Sequence, residues 1–173
     1  MLAGRRRELE RFSIMVDRLA AGRPAEAVLF AGPRGMGKTV LLRECERMAR
    51  ASGWFTSFEE VDPSLPLRQV MALNARDVLL DMSATRRFGD RLKRALGVLK
   101  AFTSVGAFGV NVSFDAELLP GTADSGVFRR DLLALFEELG KLAASDSSGV
   151  VFYLDELHTL RAPFTMNPPP EAA

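Results

Sequence analysis

The chain has 173 residues, of which 47% are hydrophobic and 26% are charged, a composition typical of one folded domain. Its formal net charge is +1, so no global electrostatic field favours nucleic acid or a membrane surface. The single cysteine excludes an internal disulfide and, with the single histidine, a Cys/His zinc cluster. Because the N-terminus is charged where a signal peptide would be apolar, and no apolar run approaches the roughly 20 residues of a membrane span, we expect a cytoplasmic protein.

The first part of the chain alternates helical and strand patterns. Residues 5–21 carry apolar side chains at helical spacing. Residues 26–31 are a short apolar run ended by glycine, which is typical of a buried parallel strand. A second helical pattern follows over 37–51, and residues 54–61 predict a second strand.

The middle of the chain predicts two more helices, over 67–83 and 86–101. Residues 105–118 alternate polar with apolar side chains, which favours a hairpin or an extended insertion. In the loop that follows, Asp124 or Ser125 is placed to cap the next helix.

The last predicted elements are a helix over 127–144 and a buried strand over 150–154. The terminal NPPPEAA cannot continue regular structure, because proline lacks a backbone donor. Strands separated by helices favour an α/β fold with a mainly parallel sheet.

One glycine-rich stretch carries a specific chemical signal. Residues 32–39, GPRGMGKT, match G-x-x-x-x-G-K-[ST] at every specified position, between a predicted strand and a predicted helix. Glycines let the main chain wrap closely around phosphate oxygens, and the unpaired N–H groups at the start of the helix favour an anion. The residues expected to contact the phosphates are Gly32, Pro33, Arg34, Gly35, Met36, Gly37, Lys38, Thr39 and Val40.

A second signal is the pair of carboxylates that ends the strand predicted over 150–154. Two acids at the tip of a buried strand are costly unless they have a function there. We expect Asp155 and the hydroxyl of Thr39 to hold Mg²⁺, and Glu156 to polarise the attacking water. Lys38, reaching the β- and γ-phosphates, is the second catalytic candidate.

These two motifs resemble the Walker A and Walker B motifs of P-loop ATPases. Gly4-Arg5-Arg6-Arg7-Glu8-Leu9 resembles the G-R-x-x-E-L box that precedes the P-loop in AAA-type ATPases of the origin-recognition and signal-transduction (STAND) kinds. The greatest likeness is to the bacterial "ATP-binding protein, AAA ATPase domain" group, including its insertion, here at about 86–126. The resemblance implies Mg²⁺ and ATP as ligands, a box that lies beside the adenine, and ATP hydrolysis that drives a conformational switch.

The chain departs from that family after Walker B. The family's sheet has a further strand between the Walker A and Walker B strands, and the residues after Glu156 show no pattern for it. We therefore expect an incomplete three-layer P-loop NTPase fold over 1–160, without the strands after Walker B or the helical lid, and a proline-rich irregular tail over 161–173. ATP binding is expected to survive this departure, and efficient hydrolysis is not.

Other functions stay open at this point. The chain is alternatively a non-catalytic interaction module with a vestigial nucleotide site, or a small-molecule kinase that shares the loop. A DNA-dependent ATPase is supported only by the basic stretch over 86–100, and an exposed helix face explains that stretch better. His158 follows Glu156 by two positions, where the family often has a γ-phosphate sensor, yet a solvated loop residue is the commoner case. A homo-oligomer or a regulatory protein is a further partner consistent with the resemblance.

Overall fold

The computed structural model describes residues 4–85, 88–105 and 116–159. Two strands, β1 (Phe55–Glu60) and β2 (Val150–Asp155), are accompanied by a 3₁₀ turn at Leu157–Thr159. The described helices are α1 (Arg6–Ala20), α2 (Lys38–Ala51), α3 (Leu67–Ala84), α4 (Gly89–Ser104) and α5 (Phe128–Ala144). Within these ranges, no helix combines the length and the apolar character that crossing a membrane requires.

The two strands pair in parallel, although about ninety residues of chain separate them. The register sets Phe55 opposite Val150 and Glu60 opposite Asp155, so both strands end at the same edge. The pairing continues one step further, because the N–H of Val61 donates to the carbonyl of Asp155 at 3.0 Å. The two strands are therefore hydrogen-bonded up to the edge that carries Glu60 and Asp155.

Helices cover both faces of the sheet. On one face, α3, α4 and α5 enclose the main core, which includes the fully buried side chains of Leu79, Phe102 and Leu135. On the other face, α1 and α2 pack with Tyr153 around a smaller core. The arrangement is a helix–sheet–helix sandwich, and it confirms the predicted α/β class with a parallel sheet.

The strand predicted over 26–31 is wrong. These residues have no regular secondary structure, and Val28 and Leu29 are 43% and 75% exposed. A strand is stabilised by hydrogen bonds to a neighbouring strand, and in the described part of the chain β2 pairs with β1 and no other strand lies beside it. The apolar run is intrinsically suited to a strand, but it lacks the partner that would make it one.

The helix predictions agree with α1 to α5 within a few residues, but the predicted cap of α5 is wrong. Val127 occupies the cap position, and no side chain caps the helix. Ser125 instead donates from its N–H and its hydroxyl to Asp131, at 2.9 and 2.6 Å. Residues 106–115, where the hairpin was expected, and the tail over 161–173 lie outside the described residues. The domain and insertion boundaries stay predictions.

Two glycines in helix interiors make a matched test of this packing. A Cβ at Gly97 would lie 2.6 Å from the carbonyl oxygen of Glu117 and 2.8 Å from Leu119 Cγ, whereas a Cβ at Gly140 would meet nothing within 4 Å. We expect Gly97→Ala to lower the free energy of unfolding by about 1–3 kcal/mol through overpacking. We expect Gly140→Ala to raise it by about 0.5–1 kcal/mol, because alanine favours the helix. Urea unfolding of both variants measures the difference, and equal effects would contradict the close approach at Gly97.

Candidate functional site

The stretch predicted to hold phosphate forms an open turn that ends where α2 begins. Gly35 and Gly37 have φ angles of 82° and 74°, in the left-handed region that favours glycine. A Cβ at either position would meet no atom within 4 Å, so the backbone conformation, rather than crowding, requires glycine. The space above both residues is open to a ligand.

The N–H groups at the start of α2 are available to that ligand. Gly37 is the cap residue of the helix and no side chain caps it. Within the part of the chain that the structure describes, the N–H groups of Gly37, Lys38, Thr39 and Val40 have no hydrogen-bond acceptor. Such groups at the positive end of a helix dipole attract anions.

Lys38 is turned back onto the loop that precedes it. Its Nζ donates to the carbonyl oxygens of Gly32 and Pro33 at 3.0 and 3.1 Å, and both hydrogen bonds are exposed. Exposed hydrogen bonds to neutral carbonyls are easily exchanged for bonds to a charged oxygen, since the latter are stronger. The ammonium group is therefore held at the turn and remains free to move to an anion.

Arg5 is a site residue whose contact the sequence did not predict. Its Nη2 donates to the carbonyl oxygen of Met36 at 2.5 Å, and its Nη1 donates to Glu8 Oε1 at 2.8 Å. The hydrogen bond from Arg5 lowers the pKa of Glu8 below its usual value, so Glu8 is a carboxylate at neutral pH. In the sequence, the box before the loop implied proximity to the adenine, and an arginine there could approach phosphate; neither predicted this contact with the main chain of the loop.

The two predicted carboxylates lie at the end of β2. Asp155 is 6% exposed and its Oδ1 accepts the N–H of Glu156 at 2.9 Å. Glu156 has a φ of 54°, an uncommon conformation for a residue other than glycine, which turns the chain sharply at this point. His158 is exposed, and its Nδ1 lies 3.4 Å from Glu156 Oε2. His158 thus faces the predicted catalytic carboxylate.

The predicted site has two parts, the glycine turn over 32–40 and the carboxylates Asp155 and Glu156. Contacts lie within each part, but in the described ranges none links the two parts directly. Among the described residues, no hydrogen bond or ion pair connects residues 32–40 to Asp155 or Glu156. No group of three or more His, Cys, Asp or Glu side chains in these ranges forms a metal site. Thr39 is exposed and Asp155 is buried. The assignment of Thr39 and Asp155 to one metal stays a prediction.

The remaining side chains of the loop point to solvent. Arg34 is exposed, and Met36 and Val40 are 55% and 53% exposed. Behind the loop, Cys45 is fully buried, and burial raises the pKa of its thiol to about 11. Cys45 is therefore a core residue with a protonated thiol.

Comparison with known proteins places the chain in a family. Residues 1–165 match the family model described as "AAA ATPase domain", and the chain belongs to this family. Neither a curated protein nor a solved structure matches the chain. Membership gives a nucleotide-binding function of the ATPase type, and it covers the loop, both strands and every helix described above.

Proposed function

We propose that this AAA ATPase domain binds Mg-ATP through residues 32–40 and that its hydrolysis depends on Asp155 and Glu156. The observation that carries the proposal is the open glycine turn at the start of α2, with its unpaired N–H groups and with Lys38 held beside them. The N–H groups provide partial positive charge, Lys38 provides a full positive charge, and the open turn leaves space for an anion beside both.

The residues of the turn fit a polyphosphate. Gly35 and Gly37 leave the main chain bare, so phosphate oxygens can approach the N–H groups of Gly37, Lys38 and Thr39. Lys38 exchanges its two carbonyl partners for phosphate oxygens, which replaces neutral hydrogen bonds by charge-assisted ones. The phosphates would thereby bind the N–H groups and the ammonium group of Lys38, which the described residues pair weakly or not at all.

The donor set also fits Mg²⁺, which prefers oxygen ligands and retains several waters. The hydroxyl of Thr39 and the carboxylate of Asp155 are the residues that would hold it. When bound, the metal supplies charge neutralisation on the phosphates. Asp155 is already kept in one orientation by the N–H of Glu156, which limits the freedom it loses on binding.

Glu156 is the proposed base that orients the attacking water. Its φ of 54° turns the chain at the end of β2, and His158 Nδ1 lies 3.4 Å from its Oε2. The proposed activity is ATP hydrolysis that drives a conformational switch, as the resemblance to the family implies.

Calorimetric titration of the wild-type chain tests the binding proposal. We expect Mg-ATP and Mg-ADP to bind, and adenosine to bind at least about tenfold more weakly because it lacks the phosphates that the turn is built to hold. Saturating Mg-ATP should also raise the melting temperature, since a ligand of the native state stabilises it.

Two results would redirect the proposal. The absence of binding by either nucleotide would favour the alternative of an interaction module with a vestigial site. Transfer of labelled phosphate from ATP to a metabolite rather than to water would favour the kinase alternative.

A further inference from the structure

Arg5 contacts the phosphate turn from outside, although it is not one of the residues 32–40 that are proposed to bind the phosphates. Arg5 is the cap residue of α1, and its guanidinium bridges the carbonyl oxygen of Met36 and the carboxylate of Glu8 at 2.5 and 2.8 Å. Its side chain is only 28% exposed, and that of Glu8 only 30%. The hydrogen bond from Arg5 to Met36 spans 31 positions of sequence and connects the cap residue of α1 to the turn.

The carbonyl that Arg5 holds belongs to the peptide group between Met36 and Gly37, whose N–H lies at the phosphate site. The carbonyl of Met36 and the N–H of Gly37 share one planar trans peptide, so they point in opposite directions. A donor that holds the carbonyl on one side therefore directs the N–H to the other side. That N–H is one of the groups that have no acceptor in the described part of the chain.

The peptide needs such a restraint because glycines lie on both sides of Met36. Gly35 and Gly37 rotate more freely than any other residue type, and no neighbouring atom lies within 4 Å of their Cβ positions. The orientation of the Met36–Gly37 peptide is therefore not set by local packing. The hydrogen bond from Arg5 to Met36 is exposed, like those of Lys38, but a second, part-buried hydrogen bond to Glu8 holds the guanidinium of Arg5 in place.

We propose that Arg5 is a positioning residue for the phosphate site: it holds the Met36–Gly37 peptide so that the N–H of Gly37 faces the phosphate chain, and Glu8 orients it. The proposal rests on the proposed function and deepens it. It assigns Arg5 to the phosphates of the ligand, whereas the family resemblance places the box beside the adenine. Arg5 acts through the main chain and does not itself touch the ligand.

The experiment compares two ligands, Mg-ATP and Mg-tripolyphosphate, of which the second has no nucleoside. For Arg5→Ala, we expect both dissociation constants to rise by the same factor, about tenfold, which corresponds to one charge-assisted hydrogen bond. Arg5→Lys keeps one donor and should recover part of the loss. Glu8→Ala should weaken both ligands by a smaller common factor, about threefold.

Arg6→Ala is the matched control. Arg6 is the next residue, its side chain is 79% exposed, and it pairs with Glu10 at 3.6 Å on the open face of α1. Its loss removes the same charge without touching the turn, so both dissociation constants should stay within about twofold of wild type.

A second readout separates positioning from mere stability. The amide NMR signal of Gly37 should shift and broaden in Arg5→Ala, while that of Gly53, a glycine with a φ of 79° at the other end of α2, should stay in place. A structural role alone would lower the melting temperature without this local change.

The outcomes are distinct. A common factor for the two ligands supports the proposal, and so does partial rescue by Arg5→Lys. Weaker binding of ATP with unchanged binding of tripolyphosphate overturns it in favour of a role at the nucleoside, and unchanged binding of both overturns it outright. If the wild-type chain binds neither ligand, the proposed function fails and this inference fails with it.

Discussion

Lys38→Ala is expected to weaken Mg-ATP binding by about 2–4 kcal/mol, or roughly 30- to 700-fold, because it removes a full positive charge from the phosphate site. The ammonium group already lies at the turn, 3.0 Å from the carbonyl of Gly32, so the variant loses a charge that the wild type has in place. A calorimetric titration of both proteins measures the change. The rise in melting temperature with Mg-ATP should shrink in the same variant.

The unliganded protein should be almost unaffected by this substitution. The two hydrogen bonds that Lys38 makes are exposed, and exposed bonds of this kind contribute less than about 1 kcal/mol. The effect would thus lie on binding rather than on folding. Lys141→Ala, which removes an equally charged but 70% exposed side chain on α5, is the matched control and should leave the affinity unchanged.

Glu156→Gln separates binding from hydrolysis. This variant keeps the shape of the side chain, so we expect Mg-ATP to bind within about threefold of wild type while any turnover is lost, because glutamine cannot accept the proton of the water. Affinity of Lys38→Ala equal to that of the wild type would contradict the assignment of the phosphate site. Strong loss of binding in Glu156→Gln would instead place Glu156 in the binding site.

The parts of the fold that the sequence predicted are those set by local periodicity. The helical stripes of α1 to α5 and the apolar runs of β1 and β2 are patterns that a few neighbouring residues create and that burial then uses. The glycine turn belongs to the same class, since Gly35 and Gly37 encode their own backbone conformation. A local pattern with a local cause can be read from one sequence.

Residues 26–31 show where that reasoning fails. The run from Ala27 to Phe30 has the composition of a buried strand, yet Leu29 is 75% exposed. Whether an apolar run becomes a strand depends on a hydrogen-bonded neighbour elsewhere in the chain, and periodicity carries no information about that neighbour. The predicted cap of α5 failed for a different reason: Ser125 lies two residues before the cap position, so its hydroxyl accepts the N–H of Val127 instead of one inside the helix.

Contacts made by a side chain with residues far away in the sequence were the second class that the sequence did not predict. Arg5 and Met36 are far apart in sequence, and nothing near Arg5 distinguishes it from Arg6 and Arg7 apart from its place in the box. Charged residues are exposed by default, so a partly buried arginine is found only once the fold is known. The arginine of the main core, Arg68, is a further case.

Arg68→Ala is expected to lower the free energy of unfolding by about 3–5 kcal/mol, a large part of the about 5–15 kcal/mol that stabilises a typical domain. Arg68 is 8% exposed and donates from Nη2 to Asp131 at 2.8 Å and from Nη1 to the carbonyl of Phe102 at 2.9 Å. Its guanidinium also lies over the ring of Phe102, 4.6 Å from the centroid. Removing it leaves the 1% exposed carboxylate of Asp131 without its counter-charge.

Urea unfolding at neutral pH is the appropriate measurement. Burial alone would raise the pKa of Asp131, but the hydrogen bonds from Ser125 and Arg68 outweigh it and lower that pKa below its usual value. A lowered pKa contributes stability above the unfolded pKa, and this stability is lost as the pH falls through the folded value. At neutral pH the ion pair therefore makes its full contribution, and in acid the difference between wild type and Arg68→Ala should shrink.

Arg94→Ala is the control for this prediction, because Arg94 also links two helices through a carboxylate. Its Nε lies 2.8 Å from Glu138 Oε1, between α4 and α5, but its side chain is 62% exposed. Solvent screens this pair, so its loss should cost less than about 1 kcal/mol. The double replacement Arg68→Met with Asp131→Leu removes both buried charges and should recover much of the lost stability, since no unpaired ion remains. If the double variant were as unstable as Arg68→Ala, the cost would come from the hydrogen bonds lost at the carbonyl of Phe102 and the N–H of Ser125 rather than from an unpaired charge.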